Sequence, residues 1–182
     1  MHEQDLLPET VRIEPVRWSA LVWLRVSMVS AKETTTLLSL PDTLRSSESN
    51  GCAALWIGPD QWLLASERES ARKLIDRCAA RLGETLHLVV DVTAALHCVR
   101  LSGSRTRTLL AMGSGLDWSN AATPAGYSSR TRLAQIPAIV HVLEANRIDV
   151  YVDRSHREYI ERWVERSMMD PLLRESVCLN TY

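Results

Sequence analysis

At 182 residues, 46% of them apolar and 24% charged, the chain has the length and composition of one ordinary globular domain, or of two small halves sharing a core. A formal net charge of −1 argues against a nucleic-acid binder, and among the basic residues only Lys32 and Lys73 are lysines, the arginines being dispersed rather than gathered in a stripe. Cys52, Cys78, Cys98 and Cys178 are spaced too far apart for a zinc knuckle and are expected as reduced thiols.

The first ten residues, MHEQDLLPET, lack the basic and apolar regions of a secretory leader. The apolar segment SALVWLRVSMVSA carries Arg25 at its centre and is too short to cross a bilayer. A cytoplasmic protein without membrane contact is therefore the expectation. Residues 1–17 read as an N-terminal arm and Leu21 to Met28 as a strand, with a short helix around Ala31 to Leu40. Pro41 to Gly51, PDTLRSSESNG, has turn composition and is expected as a mobile loop.

Strands Cys52–Ile57 and Gln61–Ala65 follow, joined by Gly58-Pro59-Asp60-Gln61, where proline supplies the fixed φ of a turn. With a two-residue loop, Trp56 faces Leu63 and Ile57 faces Trp62, which puts one tryptophan on each side of the hairpin. One side covers the chain's own helices. The other calls for either a partner protein or a second layer of this chain.

Ser66-Glu67-Arg68-Glu69 has the pattern of a capping box and predicts a helix whose buried stripe is Ala71, Leu74, Ile75, Cys78, Ala79 and Leu82, ended by Gly83. TLHLVVDV is the next strand. The first half thus reads β-α-β-β-α-β, the ferredoxin-like order. The second half opens with strand Leu96–Ser102 and a helix from Ser104 to Met112 with Leu109 and Leu110 inward, closed by Gly113. A loop of about fifteen residues follows, a length that usually signals function or contact. Strands SRTRLAQ, AIVHVLE and RIDVYVD come next. Ser155-His156-Arg157-Glu158 is a second capping-box pattern, ahead of a helix striped by Ile160, Trp163, Val164 and Ser167. The expected architecture is α+β, with pseudo-duplicated ferredoxin-like halves at about 18–93 and 94–170 within a single domain, and a tail at 171–182.

Chemical motifs are sparse. His97 and Cys98 are adjacent on a strand and point to opposite faces, so they do not form a nucleophile pair. His87 and His97 lack the further ligands a metal site needs. In AMGSGLDW the glycine-rich fingerprint fails at Trp118 and the nucleophile-elbow pattern fails at Met112 and Leu116, so Gly113 is expected to cap a helix. Of the candidate bases Asp91, Asp117 and Asp149, Asp91 interrupts an apolar run, and its expected role is to cap the Thr93–Ala94 turn.

ALWIGPDQWLLAS, VVDVTAALHCVRLSGSRTRTLLAMG, TRLAQIPAIVH and DVYVDRSHREYIERWVE, in that order and spacing, resemble the gamma subunit of heterotetrameric sarcosine oxidase, from about Ala20 to Glu165. Related complexes such as N-methylglutamate dehydrogenase carry similar chains. The resemblance implies a fold like the folate-binding T-protein of glycine cleavage, and a place beside alpha, beta and delta subunits in a complex that demethylates sarcosine to glycine. The one-carbon unit would pass to tetrahydrofolate or leave as formaldehyde, with hydrogen peroxide formed. FAD, FMN, NAD, tetrahydrofolate and zinc are then expected on the other subunits, and no catalytic, cofactor-binding or metal-binding residue on this one. Docking through an exposed apolar surface and the 113–127 loop is the leading expectation. A free-standing folate-binding carrier using Asp91 is the alternative, for which 182 residues leave little room.

Overall fold

A computed structural model describes residues 11–27, 38–170 and 173. The helix expected around Ala31 to Leu40 lies almost wholly outside them. The described strands form two five-stranded antiparallel sheets. The first contains β2 (Ala20–Val26), β3 (Ser46–Ser49), β4 (Cys52–Gly58), β5 (Gln61–Ser66) and β6 (His87–Asp91), in the order β3-β4-β5-β2-β6. The second contains β1 (Arg12–Val16), β7 (Leu96–Ser102), β8 (Ser128–Leu133), β9 (Ile136–Glu144) and β10 (Arg147–Asp153), in the order β8-β9-β10-β7-β1.

Position by position the two orders match, and each contains the four-strand ferredoxin-like arrangement with one extra edge strand. They differ in how that arrangement closes. β6 follows its own helix in sequence, whereas its counterpart β1 comes from the N-terminal side, pairing from Arg12 with Ser102 to Val16 with Cys98. Residues 12–16 of the expected arm are thus a strand of the second sheet.

The sheets pack face to face, with helices outside. Leu21, Leu55, Leu63 and Ala65 of the first sheet meet Cys98, Ile139 and Tyr151 of the second in a shared inner layer. Helix α1 (Ala71–Leu82) buries Leu74, Cys78 and Leu82 against Val22, Leu24 and Trp62, while Ala79, expected on that stripe, is exposed. Helices α2 (Thr106–Gly113) and α3 (Arg157–Ser167) bury Leu109, Leu110, Ile160 and Val164 against Val99, Leu101, Val140 and Val150. Fully burying one such leucine or valine is worth about 1.5–3 kcal/mol, which is what fixes the alternation on every central strand. None of the described helices is long and apolar enough to cross a membrane.

Four local expectations change. The 41–51 loop contains β3, which pairs with β4 from Ser46 with Leu55 to Ser49 with Cys52. Its turn is Asn50-Gly51, both at positive φ (52° and 73°), the conformation this dipeptide favours in tight hairpins. In the β4–β5 hairpin a bulge at Ile57 places Trp56 directly opposite Trp62, so both tryptophans share the α1 side of the sheet. Trp62 is 4% exposed and donates its indole N–H to the Pro41 carbonyl at 3.1 Å.

The two capping-box patterns make turns instead of boxes. Ser66 Oγ accepts from Glu69 N–H at 3.0 Å, but Ser66 is still the last residue of β5, and α1 begins at Ala71. Ahead of α3, Asp153 at the end of β10 accepts from Ser155 N–H at 2.8 Å and opens a 3₁₀ turn over Arg154–His156. Gly113 is the last residue of α2, not a left-handed cap. A Cβ there would lie 2.4 Å from the Trp163 ring, so glycine allows α2 and α3 to approach.

Candidate functional site

The inner faces of the two sheets enclose the features from which a site could be built. Along β7, residues 96, 98, 100 and 102 face the first sheet, and cross-strand pairing lines Arg100 up with Asp149, Asp149 with His141 and His141 with Ser128. This polar row lies inside the molecule. Asp149 is fully buried and receives two parallel bonds from Arg100, Nε to Oδ1 at 2.7 Å and Nη2 to Oδ2 at 2.8 Å. The carboxylate raises the Arg100 pKa further, and the two parallel bonds make a forked pair.

His141 is 5% exposed, and burial lowers its pKa to about 4, so the ring is neutral at ordinary pH. Its Nε2 lies 2.9 Å from Ser46 Oγ of the first sheet. Ser128 Oγ donates to the Trp56 carbonyl at 3.0 Å. The serine, histidine and aspartate are neighbours, yet Arg100 occupies both aspartate oxygens and both hydroxyls bond across to the other sheet. The row fastens one sheet to the other.

The acids and histidines singled out in the sequence are likewise engaged in holding structure. Asp91 accepts from Thr93 N–H at 2.9 Å and Oγ1–H at 2.6 Å, and Thr93 Oγ1 in turn accepts from Leu21 N–H at 2.9 Å. The Asp-x-Thr motif therefore closes a turn that ties the end of β6 to β2. Asp117 caps Ser119 at 2.8 Å, a bond that lowers its pKa. His97 faces the helices and bonds Glu161 at 3.2 Å; burial lowers its pKa more than the carboxylate raises it. His87, on β6 of the first sheet, bonds the Thr85 carbonyl, so it does not meet His97 on β7 of the second. Cys98 is buried on the inner face beside Trp18 and Tyr151, and burial raises its thiol pKa strongly. Cys52 and Cys78 are shifted upward for the same reason. No cluster of three or more metal-ligating side chains exists among the described residues.

The 114–127 loop is ordered by one side chain that sequence reading passed over. Arg107 on α2 donates to the carbonyls of Ala145 (2.6 Å), Trp118 (2.7 Å) and Thr123 (2.8 Å), and to Thr123 Oγ1 (2.7 Å). Buried carbonyls in a long loop need donors, and a guanidinium satisfies several at once.

At the far end of the inner layer a cavity of about 310 Å³ opens between the sheets. Leu63, Ile139 and Tyr151 form its apolar walls, Trp23 and Arg130 stand at one side, and Asp153 and His156 at another. Arg130 lies over the Trp23 ring at 5.1 Å, a cation–π contact. The one sequence signal for this cavity was Trp23, the aromatic residue of β2.

The profile of the sarcosine oxidase, gamma subunit family matches residues 26–170. The sarcosine oxidase subunit gamma of Corynebacterium sp. (strain U-96) is 26% identical over 121 residues, covering 66% of this chain and 58% of that protein, so the match spans a little over half of its length. Among solved structures, the heterotetrameric sarcosine oxidase from Corynebacterium sp. U-96 in complex with pyrrole 2-carboxylate contains a chain that superposes with a TM-score of 0.78 at 23% identity, over 90% of this chain and 87% of that one. The glycine cleavage system aminomethyltransferase T from Bartonella henselae superposes with a TM-score of 0.63 at 10% identity, over 85% of this chain and 45% of that one. The α+β fold expected from the sequence is thus shared with both.

Proposed function

The chain belongs to the sarcosine oxidase, gamma subunit family, and from that premise we propose that it is a non-catalytic assembly subunit of a cytoplasmic sarcosine oxidase-type flavoenzyme. Its partners are alpha, beta and delta subunits. The complex demethylates sarcosine oxidatively to glycine, passes the one-carbon unit to tetrahydrofolate or releases formaldehyde, and forms hydrogen peroxide. FAD, FMN, NAD, tetrahydrofolate and zinc belong to the other subunits in this reading.

One observation carries the non-catalytic assignment: the candidate acids and histidines named above are engaged in holding structure. Asp149 is held by Arg100, Asp91 by Thr93, His97 by Glu161 and His141 by Ser46. Proton transfer needs a group within reach of substrate and free to change charge. Gly113 does not fit a phosphate cradle either, because the Trp163 ring fills the space beside it. The same Asp91 turn weighs against a free-standing folate carrier, which would have to take that carboxylate away from Thr93.

The test is to co-produce the tagged chain with the other subunits, purify by affinity and record the visible spectrum. Recovery of larger subunits with a flavin band near about 450 nm that bleaches on adding sarcosine supports the reading. Bleaching only with a different N-methyl amino acid would move the assignment to the related dehydrogenases. A lone, colourless, stable protein would overturn it.

A further inference from the structure

A sheet edge is a row of unpaired backbone groups, and proteins that stay monomeric guard such edges with charge, proline or cover. The two sheets have four edges. β3 and β8 lie against each other, with Ser46 N–H bonded to the Gly126 carbonyl at 2.7 Å, Ser128 N–H to the Leu44 carbonyl at 3.2 Å, and a bridge between Arg45 and Tyr127. β8 also carries Arg130 and Arg132. β1 has the Arg12–Glu14 ion pair and Pro15. Among the described residues β6 carries no proline and no ion pair, and its one acidic residue, Asp91, is turned onto Thr93.

Its sequence around the strand is Leu86-His87-Leu88-Val89-Val90-Asp91. The alternate residues Leu86, Leu88 and Val90 point to one side and are 78%, 57% and 40% exposed, three of the seven exposed large apolar residues among those described. Pairing with β2 puts Val90 beside Trp23 and Leu88 beside Arg25. Trp23 lines the 310 Å³ cavity, so apolar surface runs from the cavity mouth out along β6. Arg25 and Arg130 flank that surface and form no ion pair among the described residues.

We infer that β6 is a docking strand: an extended segment of another subunit of the complex adds to the first sheet along β6. Its apolar side chains lie on Leu86, Leu88 and Val90, one of them enters the cavity beside Trp23, and an acidic residue meets Arg25 or Arg130. Strand addition supplies main-chain hydrogen bonds for affinity, while the alternating side chains and the cavity set which segment is accepted. Three features select this occupant over a small ligand. The apolar surface is linear, it follows a strand edge that no described residue pairs with, and two arginines without ion pairs among the described residues stand beside it. The inference rests on the subunit reading above.

The experiment uses the full chain co-produced with the other subunits, as wild type, Leu88→Lys, Leu86→Lys and, on the guarded edge, Arg132→Glu. A lysine on β6 restores the missing guard at an exposed position, so the isolated variants are expected to melt like wild type by circular dichroism. Expected in the purified complex is a loss of this chain of about tenfold or more for both β6 variants, and wild-type recovery for Arg132→Glu. Hydrogen exchange is the second readout, with β6 amides slowed at least about tenfold in the complex relative to the isolated chain. Full recovery of both β6 variants, or unchanged β6 exchange, overturns this inference while leaving the subunit reading in place. So does a homodimer of the isolated chain that Leu88→Lys disperses without affecting the complex. Wild-type chain recovered alone sinks the subunit reading, and this inference with it.

Discussion

The two sheets have the same strand order, yet one is finished and the other is open. The second sheet closes with β1, whose edge carries a proline and an ion pair; it lies under two helices and holds a buried polar row. The first closes with β6, which among the described residues carries no proline or ion pair and exposes Leu88 and Val90, with α1 packed on the sheet's other face. The same strand order therefore does not give the same duty. The buried polar row belongs to the second sheet, and the exposed apolar strand to the first.

The sharpest way to break that comparison is at Asp149. Replacing it by alanine leaves the buried side of Arg100 without its partner, and chemical denaturation should report a loss of about 3–5 kcal/mol. A loss below about 1 kcal/mol would mean that the polar row does not hold the second sheet. Next comes pH. Folded His141 stays neutral down to about pH 4, whereas the unfolded ring takes up a proton near 6.5. Its contribution is complete above pH 6.5 and is lost as pH falls toward 4, by up to about 3 kcal/mol. Urea titrations across that range should show the slope, and His141→Gln should flatten it.

Gly113→Ala is smaller. The added methyl meets Trp163 and Leu133, and about 1–3 kcal/mol is expected from overpacking. Combining it with Trp163→Leu should recover part of that loss, because the two changes share one contact. Smallest of all is Leu88→Lys on the open sheet, which should change the stability of the isolated chain by no more than about 0.5 kcal/mol. A large loss there would show β6 to be as structural as β1.

Most strands were legible because β2, β4 and β5 are short apolar runs rich in aromatic and branched residues and β10 alternates, the patterns of strands buried on both faces or on one. What escaped depended on partners distant in sequence. β3 is polar on its outer positions, and only the Asn50-Gly51 turn announced it. The tryptophan register turned on one bulged residue, Ile57, which no local pattern specifies. β1 is a strand because β7, far along the chain, offers it an edge. The polar row was out of reach for the same reason: Arg100, His141 and Asp149 are unremarkable singly and become a unit only when three strands fall into register. The family motifs, by contrast, were readable early. The structure explains why two are there: Asp91-x-Thr93 closes a turn, and Gly113 makes room for a ring.

The borrowed strand β1 also governs how the molecule can be taken apart. A cut between the halves, near residue 93, looks natural in the sequence, but it would strand β1 on the wrong fragment and expose the flank of β7. To isolate the second sheet intact, β1 would have to be grafted behind α3, the place that β6 occupies behind α1. The two halves are thus separable by rewiring the chain and not by cleaving it. During synthesis, β1 is left waiting until β7 has emerged.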